Sequence, residues 1–253
     1  MLLQISTMFN CRFKAHMKFA PHLFLAAFAI ATSGCVAPRT SGSFSPLFPT
    51  EGVPVGWRVT EWSDLAKPAK PGVAWKVENG VLRGSDPRGT WLVSEKVYGD
   101  FILEFEFKLG ERGNSGCALR VPMFGDPAFD GMELQMADFR YNTQAKDSEL
   151  TGGLYRAIAP KKQVYKPTEW NHYKITLIGS KLKVLLNGVR IHDLNLDEQE
   201  QVVTRHDNSI APPIKSRPRK GHIGFQELSR LEKEGEKRPG DRVMIRNARI
   251  KEL

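Results

Sequence analysis

Cysteine is scarce in this chain, with three residues in 253. Cys11 and Cys35 lie near the start, so Cys117 is the one thiol left for a folded domain. That leaves no internal disulfide and no cysteine zinc site there, and Cys117 reads as a small buried hydrophobe. Helical periodicity is almost absent, which argues against a helix bundle and against alternating strands and helices. The longest apolar run, Leu23 to Ala31, falls short of the roughly 20 residues that span a bilayer. No internal repeat and no long low-complexity segment is present. Lysine and arginine outnumber acidic residues by 37 to 28, yet the densest basic run, "IKSRPRKG" (214–221), is rich in charge and proline and holds no aromatic residue. A nucleic-acid surface interleaves cations with stacking rings, so nucleic acid is not an expected partner and the run reads as a solvated loop.

What the beginning of the chain does contain is an address. In "MKFAPHLFLAAFAIATSGC" (17–35) a lysine precedes the apolar run, and small residues end at Cys35. This is the layout of a secretory leader. It resembles a bacterial lipoprotein signal with Thr32-Ser33-Gly34-Cys35 as the lipobox, which implies cleavage before Cys35 and lipid on its sulfur. The start is Met1 or Met17; the latter puts the charge directly before the apolar run. We expect residues 1–34 to be leader, 35–47 a lipidated, flexible tether rich in Ser and Pro, and 48–253 one domain. The expected location is the cell envelope, lipid-anchored and facing the periplasm, with the membrane as a partner through the anchor. Removing Arg12, Lys14 and Lys18 from the formal net charge of +9 leaves about +6 on the mature chain.

From there on, strand follows strand. "DFILEFEFKL" (100–109) places Phe101, Leu103, Phe105 and Phe107 on one face and Glu104, Glu106 and Lys108 on the other. "WKVENGVLRG" (75–84) is a hairpin about Asn79-Gly80, the dipeptide a type I′ turn favours. Many short strands punctuated by Gly, Asn and Pro predict an all-β sandwich of antiparallel sheets. The least strand-like regions, about 139–169 and 196–219, are too polar for core and are expected as loops over one end or face.

One strand poses a question. In "FDGMELQMADF" (129–139), Met132, Leu134 and Met136 alternate with Glu133 and Gln135, so a carboxyl and an amide share one face of a strand that reads as central. The same alternation puts Arg120 with Ala118 in "GCALRVP", and His222 and Gln226 with Gly224 in "GHIGFQE". One acid, one imidazole, one guanidinium and two amides suit a polyhydroxylated ligand, and also proton transfer. Trp91, Tyr155 and Trp170 offer sugar-stacking faces, although Trp57, Trp62, Trp75 and Trp91 read mainly as core. Plainer alternatives stand beside these: Glu133 and Arg120 as a buried ion pair, His222 as a structural histidine, Asp138 as a turn cap. Glu133 and His222 are both able metal ligands, but no close spacing of His, Asp and Glu demands a divalent metal, so no cofactor is expected.

The blocks "AWKVENGVLRG", "TWLVSEKVYGDFILEFEFKL", "GNSGCALR", "GMELQMAD", "TGGLYRAIAP", "EWNHYKITLIGSKLKVLLNGVRI", "KGHIGFQ" and "IRNARIKEL", in that order, resemble the bacterial 3-keto-disaccharide hydrolase domain family. The resemblance implies a concanavalin A-like jelly roll with a ligand site on its concave sheet. It also implies cleavage of a glycoside whose C3 hydroxyl a partner glycoside 3-dehydrogenase has already oxidised. A C3 ketone acidifies the C2 proton, so a base can remove it, the enolate expels the C1 substituent, and water adds to the enone. On that route Glu133 is the expected base, His222 the acid or proton shuttle, and Arg120 the partner of the enolate oxygen. Gln135, Gln226, Asn114 and Asn171 are expected to hold hydroxyls, with Tyr155, Trp91 and Asp138 also binding substrate. Two departures from the family pattern are "ELSRLEKEGEKRPGD" after "GHIGFQ", and Arg156 where a small residue is common. A non-catalytic carbohydrate-binding lipoprotein and a structural envelope protein remain the alternatives.

The leader makes a testable prediction. Wild-type protein should fractionate with membranes and be released by detergent, and Cys35→Ser should leave it soluble or unprocessed; wild type found with soluble periplasmic protein contradicts the anchor.

Overall fold

A computed structural model describes residues 42–229 and 242–253, and the leader and Cys35 lie outside them. Two antiparallel sheets face one another. One has the spatial order β3 (Asp64–Pro68), β2 (Trp57–Glu61), β6 (Thr90–Ser94), β15 (His222–Glu227), β8 (Asn114–Val121) and β9 (Met132–Ala137). The other runs β12 (Val189–Asn195), β11 (Lys181–Leu186), β10 (Asn171–Ile178), β7 (Phe101–Lys108), β16 (Met244–Glu252), β5 (Val81–Arg83) and β4 (Lys76–Glu78). The short β1 (Ser45–Pro46) pairs with β16 through Ile250 and Arg249, and Leu47 packs into the core. The sandwich therefore begins before residue 48, and residues 45–47, expected as the end of a tether, belong to it.

Strand alternation built the core as expected. Phe101, Leu103, Phe105, Leu119, Leu134, Ile175, Leu177, Val184 and Ile223 are all fully buried. Phe105 of one sheet meets Phe225 of the other edge-on, with ring centroids 5.1 Å apart. Burying each such side chain contributes about 1.5–3 kcal/mol. The β4–β5 turn uses Asn79 and Gly80 at φ 53° and 72°, the left-handed region that a type I′ turn requires of both residues. Cys117 is buried and unpaired in this core, where burial pushes its thiol up.

The outer face of the six-stranded sheet carries a second, smaller core. Trp91, Val93, Ala118 and Val121 pack there under Leu65, with Trp62 and Met123 at its margin. Beyond β9 the chain continues the sheet without forming a regular strand: Gln135 N–H donates to Gly153 O at 2.8 Å, and Tyr155 N–H to Glu133 O at 3.0 Å. Farther on, β13 (Val203–Thr204) and β14 (Ile210–Ala211) form a separate hairpin. The two polar regions are mostly irregular, as expected, yet they are not excluded from the core: Leu154, Leu196, Val203, Ala211 and Ile214 within them join it.

The basic run 214–221 is not a simply solvated loop. Arg217 is buried and donates to the carbonyls of Ala128 and Gly131, both at 2.8 Å, while Lys215 pairs with Glu200 and Arg219 with Asp197. Its charges brace the loop against the short helix α1 (Pro127–Asp130) and its neighbours.

Arg120 departs from the expected alternation, and a bulge explains it. His222 pairs with Val121 but Gly224 pairs with Ala118, so β8 holds one more residue than β15 over this stretch. Arg120 takes the extra position at φ 52°. A one-residue insertion reverses the side-chain facing beyond it, so Val121 joins Ala118 on the outer face and Arg120 turns away. Its fully buried guanidinium donates to Gly99 O (2.8 Å), Gly179 O (2.6 Å) and the Asp100 carboxylate (2.9 Å). It thereby ties the six-stranded sheet to two turns of the other. Arg120→Met should lower stability by about 3 kcal/mol, read as a shifted urea midpoint, because those carbonyls lose their donor inside the protein. A midpoint within error of wild type contradicts this bracing role.

Candidate active site

A cavity of about 390 Å³ opens on the outer face of the six-stranded sheet. Its floor comes from regular strands: Asn114 on β8, Glu133 and Gln135 on β9, and Gln226 on β15. Its walls come from loops: Trp62, Arg88, Asp126, Tyr141, Tyr155 and His206. The period-2 pattern of the floor follows from its sequence, since Met132, Leu134 and Met136 enter the sandwich core and turn Glu133 and Gln135 outward.

Glu133 is the unusual member. It is 4% exposed, and among the described residues no donor makes a hydrogen bond to its carboxyl group. It lies across β8 at Gly116, where a Cβ would stand 1.9 Å from Glu133 Oε1. Glycine at this position is therefore what makes room for the carboxyl. Burial, and secondly the charge of Asp126, push Glu133 well above the usual carboxylate range. Asp126 itself caps α1, accepting from Ala128 N–H at 3.0 Å, and burial pushes it up to about 6.

The amides around Glu133 are positioned but not saturated. Gln135 Oε1 accepts from Met136 N–H at 2.7 Å, which leaves its NH2 group for a ligand. Asn114 is 7% exposed, and its Oδ1 is buried without a hydrogen-bond partner. An unpaired buried acceptor is costly, and it lines the same cavity as Glu133, where a ligand hydroxyl would satisfy it. A smaller neighbouring cavity of about 100 Å³ shares Asn114, Gln135, Tyr141 and Tyr155. It extends the site towards Asp138, Glu149 and Arg156.

The walls are aromatic. His206, from the β13–β14 hairpin, has its ring centroid 5.9 Å from that of Trp62, 5.4 Å from Phe129 and 5.9 Å from Tyr155. Burial, with Arg156 nearby, lowers the His206 pKa, so its ring is neutral at pH 7. Burial raises the Tyr155 phenol, which keeps its proton and can donate. Arg205 holds the hairpin in place through a bidentate pair with Asp130 at 3.0 and 2.6 Å. Arg156, at φ 58°, adds a bond from its guanidinium to Thr204 O at 3.0 Å.

Five residues expected in the site take other positions. Arg120 leaves through the bulge described above. His222 does not line the cavity; it stands beyond the apolar patch of Val93, Ala118 and Val121, with Nδ1–H donating to Ser94 O at 2.7 Å. Glu133 and His222 are thus not in one cavity to share a metal. Asn171 belongs to the other sheet, where its amide holds Lys166 O and Glu169 O and accepts from Asn187. Trp91 is fully buried with Nε1–H on Trp62 O at 3.0 Å, so Trp62 presents the ring to the cavity instead. Asp138 borders the smaller cavity, but Arg140 grips both its oxygens at 2.7 Å and Tyr165 adds a bond at 3.2 Å. Among the described residues no group of three or more His, Cys, Asp or Glu is placed to hold a metal ion.

The wall residues Trp62, Arg88, Asp126 and His206 carry no periodic signal. For His206 the only trace is that the region 196–219 is too polar for core, which predicted a covering loop without saying which side chain it would deliver.

The search of curated proteins finds no significant match. Among solved structures, a candidate glycosyl hydrolase from Parabacteroides distasonis ATCC 8503, at 2.00 Å resolution, is similar with a TM-score of 0.63 and 25% identity, over 83% of this chain and 100% of that one. A second candidate glycosyl hydrolase from the same organism has a TM-score of 0.60 at 24% identity, over 83% of this chain and 94% of that one, and supports the fold alone. The profile of the 3-keto-alpha-glucoside-1,2-lyase-like domain family matches residues 43–251, which takes in both sheets and every residue of the cavity, and the chain belongs to that family.

Proposed function

We propose that this protein cleaves 3-keto-glycosides by removing the C2 proton, eliminating the C1 substituent and hydrating the resulting enone. The observation that carries the reading is Glu133: a buried carboxyl with no cation beside it among the described residues, raised in pKa, at the floor of a polar cavity. A base of raised pKa is better matched to a carbon acid than an ordinary carboxylate is. Family membership and the glycosyl hydrolase neighbour support a glycoside as the substrate.

Each remaining requirement has a resident group. Asn114 Oδ1 and the free NH2 of Gln135 suit sugar hydroxyls, and Gln226 adds a second amide. Trp62 offers a ring for the sugar's apolar face. With Arg120 committed to the protein interior, Tyr155 and Arg88 are the donors on the cavity wall for the developing enolate oxygen. No separation of two carboxyl groups is imposed by this route, because no oxocarbenium transition state is formed. One observation favours a second reading: Asp126 gives the cavity another carboxyl, as direct hydrolysis of an unoxidised glycoside would require.

An oxidised carbohydrate as substrate implies a partner glycoside 3-dehydrogenase that produces it. The lipoprotein leader would place both on the periplasmic side of the envelope.

Glu133→Gln keeps the shape of the side chain and removes the base. Turnover of a 3-keto-glycoside should fall by about 10²–10⁴ with little change in binding, whereas Gln135→Ala should mainly raise KM. Steady-state kinetics on both variants checks this. Full activity of Glu133→Gln contradicts the assignment.

A further inference from the structure

The elimination route, on which this inference rests, needs an acid for the departing C1 oxygen, and His222 is not in the cavity. The group facing the same space is Asp126. One of its oxygens is taken by Ala128 N–H at 3.0 Å, and no described residue donates to the other. Its helix neighbour Asp130 is by contrast fully engaged by Arg205. Asp126 and Glu133 are thus the two carboxyl groups of this cavity with no cation in contact among the described residues.

We propose that Asp126 is the acid–base partner of Glu133, serving the oxygen at C1 while Glu133 serves the carbon at C2. In the forward half, the Glu133 carboxylate takes the C2 proton. The electron pair left at C2 forms the C1–C2 double bond, the C1–O pair leaves with the oxygen, and the Asp126 carboxylic acid protonates that oxygen. The products are an alcohol and an enone. In the second half, water adds at C1, the Asp126 carboxylate takes a proton from it, and Glu133, whose own proton has meanwhile exchanged with solvent, protonates C2. One water is consumed and both carboxyl groups end as they began.

Burial that pushes Asp126 up to about 6 brings its gain and loss of a proton closer to neutral pH than an ordinary carboxyl allows. Its charged surroundings are Glu133, Asp130, Arg205, Arg156 and Arg217, with His206 across the cavity.

The test uses the leaving group. Asn caps a helix as well as Asp does, so Asp126→Asn preserves the start of α1. A nitrophenolate leaves without a proton, while an alkoxide does not. On an alkyl 3-keto-glucoside, kcat of Asp126→Asn should fall by about 10²–10⁴; on the nitrophenyl analogue it should fall by less than about tenfold. The nitrophenyl rate also shows that the variant is folded. Equal losses on both compounds, or no loss on either, overturn the assignment. So does a His206→Gln variant that alone shows the selective loss. Wild type inert towards both compounds overturns the elimination reading itself, a separate failure.

Discussion

Burying a carboxyl group without a cation is the constraint on which the site depends. Leaving water raises the free energy of the charged form by several kcal/mol unless a partner offsets it, and Glu133 has none among the described residues. The surrounding structure accommodates the group sterically instead. Gly116 leaves the space its carboxyl occupies, and the methionines and leucine between which it alternates fix β9 so that it cannot turn inward. The segment that includes Gly153 and Tyr155 hydrogen-bonds to the far side of β9, which keeps solvent from that edge. Destabilisation of the carboxylate is then available to drive proton abstraction.

Buried acidic groups outside the cavity are hydrogen-bonded instead: Glu227 accepts from the Ser229 and Val243 N–H groups, both at 2.8 Å. Glu104 is as buried as Glu133 but bonds Lys174 at 2.8 Å and Arg249 at 2.6 Å. Asp138 is gripped by Arg140, Asp130 by Arg205, and Asp100 by Arg120. A chain with 37 cationic residues had ample means to pair one more carboxyl. Arg88 stands on the cavity wall beside Tyr141, whereas three other cations nearby are committed elsewhere: Arg205 and Arg156 secure the hairpin that brings in His206, and Arg217 secures the backbone of α1. The same contacts that hold the walls thus leave the floor unpaired.

Period-2 alternation made part of this legible from sequence. It is a local rule, and it succeeded wherever a strand is regular: the core of β7, β9 and β10, and the facing of Glu133, Gln135 and Gln226. It failed where a long-range event intervened. The bulge in β8 reversed Arg120, and no local signal in "GCALRVP" announces an extra residue. His222 has the expected alternation but lies too far along β15, because position along a strand relative to a cavity depends on what covers the sheet. Asn171 failed because sequence does not say which sheet a strand joins, and Trp91 because Trp62 covers it. Asp126 and His206 reach the cavity from a helix cap and a hairpin, whose positions only the folded chain defines.

Isotope labelling at C2 tests the central claim most directly. The purified domain, given a 3-keto-glycoside in deuterated water, should release a 3-keto sugar carrying deuterium at C2, and should leave the unoxidised parent glycoside intact. Release without deuterium at C2, or equal cleavage of the parent, contradicts the account, because the C1–O bond would then break without the carbon acid that Glu133 is placed to deprotonate.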